Sequence, residues 1–253
     1  MGGRGEGKVA KDPANANSGK TFFPSLSSGS MCRLFVGIAV AMALNTILCA
    51  QTFSEEDFRI RGYIDIHRLD TTIRLALIYS TTDNFVGEDM YGDFDKAYFE
   101  KGFAERIRQA QRLLRKEYPD YSLLIYDASR PISIQRRMYT LVKGTSKAVY
   151  VANGNRGGKH NYGVAVDLTI VDRDGKPLDM GTPVDHFGRA AHVGQEERLA
   201  TDGLISREAV RNRRLLRRIM KSVGLVPYRR EWWHYELPES MSHTRSHYRL
   251  LDF

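Results

Sequence analysis

The sequence predicts an α+β fold, one compact domain with a small antiparallel sheet and flanking helices. Three observations predict it. Helical and strand patterns mix irregularly after residue 51, instead of alternating as β–α units. No internal repeat and no Pro- or Ser-rich linker divides that stretch. The 253 residues are 42% hydrophobic and 27% charged, the balance of a soluble chain that buries its own core.

The elements follow in chain order. Ile73 to Tyr79 is apolar and aromatic enough for a strand. Residues 94–118 read as a helix, because Phe103, Ile107, Ala110 and Leu114 fall on one face and Pro119 stops it. Tyr121 to Tyr126 is a short apolar strand. Pro131 suits the first residue of a helix that runs to about Val142, with Gly144 beyond its end. Gly163 to Val171 is a second clear strand. Ser206 is placed to cap a helix that runs to Val223, and Gly224 to close it. That helix carries seven basic residues between Arg207 and Lys221. No aromatic residues interleave with them, so a solvated basic face is expected and not a nucleic-acid reader. Trp232 to Leu237 reads as a final aromatic strand.

Residues 1–50 stand apart from the domain at 51–253. The first thirty are rich in Gly, Ser, Asn and Lys, without apolar period, and read as a disordered leader. Met31-Cys32-Arg33 then precedes an apolar run from Leu34 to Ala50, the pattern of a secretory signal, with Met31 a candidate start. The run contains Asn45 and is short for a membrane span, so export to the periplasm or medium is expected, with no stable insertion after cleavage near Gln51. An uncleaved N-terminal anchor is the alternative. Both cysteines, Cys32 and Cys49, fall in this segment. Without it the chain has no disulfide, no thiolate ligand and no cysteine nucleophile. The formal charge of +8 falls to about +5 when residues 1–50 are removed.

Any metal must therefore be held by histidine and carboxylate. Two of the seven histidines stand in informative company. His160 ends a loop, Gly163 allows the backbone to turn, and Asp167 follows inside the apolar run Val164 to Val171. Residues seven apart on a regular strand face opposite ways, so His160 and Asp167 converge only if the chain bends between them. A carboxylate in that run needs a cation or a paired partner, and either satisfies it. In Glu231-Trp232-Trp233-His234 the aromatic neighbours favour a strand, with Glu231 at its loop end swung toward the site. A structural histidine in an aromatic cluster is the plainer reading of His234 taken alone. Together the two segments offer two imidazoles, one carboxylate and one spare glutamate. That is the composition of a catalytic zinc site, in which three N/O ligands leave a fourth position for water and the spare carboxylate takes its proton. In Asp127-Ala128-Ser129-Arg130-Pro131, Arg130 sits between a strand end and a helix start. It is a candidate oxyanion stabiliser or a structural partner of Asp127, and the roles can coexist.

Five blocks in order carry a resemblance: Asp83 to Gly87; Asp127 to Pro131; His160 through Thr169; Met180-Gly181-Thr182 with Asp185; and Glu231 to Tyr235. With them the sequence resembles the VanX-type zinc D-Ala-D-Ala dipeptidases, within the wider group of D-alanyl peptidases that share a hedgehog-like zinc fold. The resemblance implies one zinc per chain on His160, Asp167 and His234, Glu231 as general base and Arg130 at the developing oxyanion. It implies that Asp185 recognises the free amino end of a small D-amino-acid dipeptide, with Tyr79 in the same pocket. The family has Ser two residues before the first zinc histidine, where this chain has Gly158. Two other readings are a D,D-carboxypeptidase or endopeptidase of longer wall peptides, and a zinc-dependent binding protein. Glu231 and Arg130 argue against the last, since a binding module needs neither.

Overall fold

The computed structural model describes residues 53–253. The leader, both cysteines and the candidate signal therefore lie outside the described residues. Among those described, no helix is long and apolar enough to cross a membrane.

A five-stranded sheet organises the domain. Its strands are β2 (Arg74–Leu75), β4 (Ser122–Asp127), β5 (Ala165–Val171), β7 (His234–Glu236) and β6 (Val226–Pro227), in the order β2-β4-β5-β7-β6. The expected sheet is there, but it is mixed: β2 runs parallel to β4, and the other neighbours are antiparallel. A separate ribbon pairs β1 (Ile64–Asp65) with β3 (Tyr98–Phe99).

Central β5 is buried along its whole length. It reads as an unbroken apolar run because neighbours cover both of its faces. The helix α2 (Lys101–Glu117) packs Phe103, Ile107, Ala110 and Leu114 into the core, at the spacing the sequence predicts. It begins seven residues later than expected. Tyr98–Phe99 form β3, and the Glu100 carboxylate caps the helix by accepting from the Phe103 N–H at 2.9 Å. The next helix, α3 (Ile132–Val142), has Pro131 as its N-cap. The basic helix α5 (Arg207–Ser222) is capped by Ser206, whose hydroxyl accepts from Ala209 N–H at 2.8 Å. Four of its arginines pair with acidic neighbours: Arg207 and Arg214 with Glu197, Arg217 with Glu196, and Arg218 with Glu117.

Three short helices were not anticipated: α1 (Glu55–Arg59), α4 (Glu196–Thr201) and α6 (Met241–His247). The first and the last expected strands are shorter than their apolar runs. After β2 the chain turns through Ile78–Ser80. Trp232 and Trp233 lie in the turn before β7, and buried aromatic residues there mimic a strand pattern.

Candidate active site

The sheet register assembles the site. Asp127 at the end of β4 stands opposite Asp167 on β5, and Asp167 stands opposite His234 on β7. Directly opposed residues present their side chains on one face, so the three form a row across neighbouring strands. His160 arrives from a tight turn, Lys159–Tyr162, which Gly163 ends in the left-handed conformation at φ 68°. This is the bend the sequence demanded. A Cβ at Gly163 would also fall 2.2 Å from the Tyr63 ring, so glycine is required there twice over.

His160, Asp167 and His234 offer ligand atoms that all lie within 4.8 Å of one another. His160 Nε2 is 3.2 Å from His234 Nδ1 and 3.5 Å from Asp167 Oδ2, and His234 Nδ1 is 3.0 Å from Asp167 Oδ1. Bonds of zinc length in tetrahedral geometry separate their ligand atoms by roughly 3.3 Å, so the three spacings fit one small ion. The outward ring nitrogens are occupied. His160 Nδ1 is 2.7 Å from the Ala128 carbonyl, and His234 Nε2 is 3.0 Å from Glu236 Oε2. A ring that donates outward turns a lone pair inward, as a metal ligand must. Burial disfavours charge on His234, but its bonds to Asp167 and Glu236 outweigh that and lift its pKa well above the histidine range. Burial likewise opposes ionisation of Asp167, yet His160 and His234 hold it well below the carboxylate range. The donor set, its spacing and its outward hydrogen bonds all suit a metal ion.

Glu231 is 8% exposed, in the turn before β7, with Oε2 3.9 Å from His234 Nδ1. Burial first, then Asp167 and Asp185, push its pKa up to about 8, against the opposing pull of His234 and Arg130. It is swung toward the cluster as the sequence suggested. Arg130 is buried and ion-paired to Asp127, and its Nη1 donates to Gln135 Oε1 at 2.9 Å. Both readings of Arg130 are thus compatible, since it pairs Asp127 and also lines the cleft. Tyr79 joins the two ends of the site. Its hydroxyl donates to Asp185 Oδ2 at 2.9 Å, and the Arg130 guanidinium lies 5.0 Å from its ring centre. Burial pushes the Asp185 pKa up to about 7, aided by Asp167 and opposed by Tyr79 and Arg130. All seven predicted residues line a single cleft of about 420 Å³.

Four contributing residues escaped the sequence reading. Tyr91 donates to Asp127 Oδ1 at 2.6 Å, and Gln135 links Arg130 to the Ala152 carbonyl through its own donor at 2.8 Å. Lys159 donates to Glu236 Oε1 at 2.8 Å, behind His234. Only Glu236 left a signal: it lies two residues after His234 on a strand, hence on the same face.

Two imidazoles and a carboxylate around one point, with a spare buried glutamate beside them, define a metallohydrolase. The chain belongs to the peptidase M15 family, whose model, described as D-ala-D-ala dipeptidase, matches residues 59–250, and it is a metallopeptidase by that membership. It is similar to the D-alanyl-D-alanine dipeptidase of Escherichia coli (strain K12), 29% identical over 180 residues that cover 71% of this chain and 86% of that protein. The D-alanyl-D-alanine dipeptidase of Enterococcus faecalis (strain ATCC 700802 / V583) is 30% identical over 193 residues, covering 70% of this chain and 91% of its own. The solved LD-carboxypeptidase LdcB aligns over 59% of this chain and 63% of its own, with 16% identity and a TM-score of 0.36.

Proposed function

We propose that this chain is a zinc dipeptidase that hydrolyses free D-Ala-D-Ala. The observation that carries the proposal is the placement of the Tyr79–Asp185 pair in the same cleft as the His160, Asp167 and His234 cluster and Glu231. An acidic group in a half-closed cleft suits an ammonium ion, and a free dipeptide is the peptide that brings one so near its scissile bond.

His160 Nε2, Asp167 and His234 Nδ1 would hold the ion. Zinc, when bound, supplies Lewis acidity that makes water a nucleophile near neutral pH. Glu231, ionised beside the bound cation, would take the proton of the attacking water and pass it to the leaving amine from its place 3.9 Å from His234 Nδ1. Arg130, held by Asp127 and Gln135, offers a fixed positive charge to the oxygen that gains charge as the carbonyl becomes tetrahedral. Asp185 receives the amino end, and the Tyr79 hydroxyl orients its carboxylate.

The candidate signal at residues 31–50 makes the periplasm or the medium the proposed place of action. N-terminal sequencing of the exported protein should begin near Gln51.

The deciding experiment compares D-Ala-D-Ala, its N-acetylated form and a wall pentapeptide, in the parent enzyme and in Asp185→Ala. The proposal expects the free dipeptide to be cleaved much faster, and Asp185→Ala to lower that rate while leaving the acetylated rate nearly unchanged. If the pentapeptide is the better substrate of the parent enzyme, a D,D-carboxypeptidase takes the dipeptidase's place.

A further inference from the structure

We infer that Arg213 is a positioning residue for amino-end recognition: its guanidinium fastens both ends of the loop that carries Asp185. The inference rests on the reading that Asp185 receives the substrate's ammonium group.

Arg213 lies on α5 and is 2% exposed. Its Nε donates to the Met180 carbonyl at 2.7 Å and its Nη1 to the Ala190 carbonyl at 2.9 Å. Those carbonyls bracket residues 181–189. Its remaining nitrogen, Nη2, has no hydrogen-bond partner, so these two bonds are its polar anchorage. Between the brackets side chains hold the loop at single points: Phe187 packs on Phe85 and Tyr150, and Arg189 pairs with Asp202. The backbone bond that closes within it is Gly188 N–H to the His186 carbonyl. Asp185 sits there at φ 59°, the one non-glycine residue at positive φ among the described residues. Such a conformation persists where the surroundings over-determine it, and here the closure of the loop ends acts together with the Tyr79 bond and the Phe187 packing.

The same guanidinium lies 5.7 Å from the ring centre of Trp232, whose indole N–H donates to Thr182 Oγ1 at 2.8 Å. Trp232 directly follows Glu231. The loop meets the Trp232 segment through its own Thr182 side chain, a bond that does not depend on Arg213. Releasing the Arg213 clamp frees Asp185 to relax away from Tyr79 without touching His160, Asp167 or His234. The effect should fall on recognition of the amino end and spare the metal site.

The test uses the full chain with metal bound. Arg213→Met keeps the apolar stem and removes both donating nitrogens, and Arg213→Lys keeps the charge on a single donating nitrogen. Arg213→Met should raise KM for D-Ala-D-Ala about tenfold, the effect of a lost hydrogen bond to a charged group. It should leave kcat/KM for the N-acetylated dipeptide and the metal content unchanged, and Arg213→Lys should rescue part of the KM. Hydrogen exchange at 181–189 should quicken in Arg213→Met and stay unaltered elsewhere. Equal loss on both substrates, loss of metal, or unchanged exchange in the loop overturns the inference. If the unmodified enzyme does not prefer the free dipeptide, it is the reading of Asp185 that fails, and the exchange data still report on the clamp.

Discussion

Asp167 and His234 face each other directly across the β5–β7 pair, with Oδ1 and Nδ1 3.0 Å apart. The central ladder fixes the backbone of both residues, so strand pairing sets the spacing from which two of the three proposed ligands reach the site. Zinc should bind at about one ion per chain. His234→Ala or Asp167→Ala should lose it, as measured by metal analysis after dialysis. Glu231→Ala should keep the metal and lose turnover by about 100-fold or more. Equal metal loss in all three variants would show that the base and the ligands have been misassigned.

The outward nitrogen of His234 gives a second prediction. Glu236 accepts from Nε2 at 3.0 Å and is itself held by Lys159, so it fixes which ring nitrogen turns inward. Glu236→Ala should weaken metal binding by about 10- to 100-fold, whereas Glu236→Gln retains an acceptor and should cost less. Competition against a chelator measures both. Equal affinity in Glu236→Ala and the parent protein would remove Glu236 from the site.

Much of this centre was legible in the sequence, and the limit has a physical origin. His160 with Asp167, and Glu231 with His234, lie close together in the chain, so short patterns betray them. Gly163 gave away the bend because only a residue free of a Cβ fits at φ 68° beside Tyr63. Helix α5 was readable from its cap and stripe, which are local. Sheet register is not local: nothing in the chain order places Asp127 opposite Asp167, or turns β2 parallel to β4. Tyr91 and Arg213 act through partners that the fold alone brings near, whereas Gln135 stands only five residues from Arg130 but belongs to no recognisable motif. The Trp232–Trp233 pair misled for a different reason, since buried aromatic residues in a turn carry the same apolar signal as a strand.

Metal-free protein should lose stability as pH rises through the neutral range. Asp185 and Glu231 have folded pKa values pushed up to about 7 and about 8, above their ordinary values of 3.8 and 4.5. The folded state therefore holds more protons than the unfolded state between roughly pH 4 and 8. Their favourable contribution is complete below the unfolded values and vanishes as pH passes the folded ones. His234 acts with the same sign above the ordinary histidine value. Glu236, held down to about 2, acts with the opposite sign, but its window lies below the ordinary value of 4.5. Denaturant unfolding at pH 5.5 and 8.5 should show the decline, and Glu231→Gln and Asp185→Asn should each flatten it. An unchanged slope in both variants would contradict the assignment.

Arg130 is held on three sides, by Asp127, by Gln135 and by the Tyr79 ring. Arg130→Ala should lower kcat by about 100-fold or more, the scale of a lost oxyanion partner. Gln135→Leu should have a smaller effect of the same kind, because Arg130 keeps Asp127 and the ring. A Gln135→Leu variant that changes KM alone would place Arg130 in substrate binding and not at the oxyanion.

By the resemblance to VanX-type dipeptidases, Gly158 stands at a position usually held by serine, and its surroundings suggest why. Its backbone is extended, at φ −116°, so a side chain meets no conformational barrier. A Cβ there would instead lie 3.1 Å from the Ala152 Cβ, tighter than ordinary contact. The Ala152 carbonyl is also the acceptor for Gln135, which in turn holds Arg130. Pressure at 158 therefore has a route to the oxyanion side of the cleft. Gly158→Ser should destabilise the protein by about 1 kcal/mol, at the low end of overpacking costs, and lower kcat instead of improving the enzyme. Ala152→Gly removes the opposing methyl group. The double variant Gly158→Ser/Ala152→Gly should recover kcat, and the new hydroxyl should then lower KM for the dipeptide by up to about tenfold, the worth of one added hydrogen bond. The four proteins form a thermodynamic cycle in both stability and kinetics, in which contact between the two sites appears as non-additivity. Additive effects would mean that Ala152 is not what Gly158 accommodates.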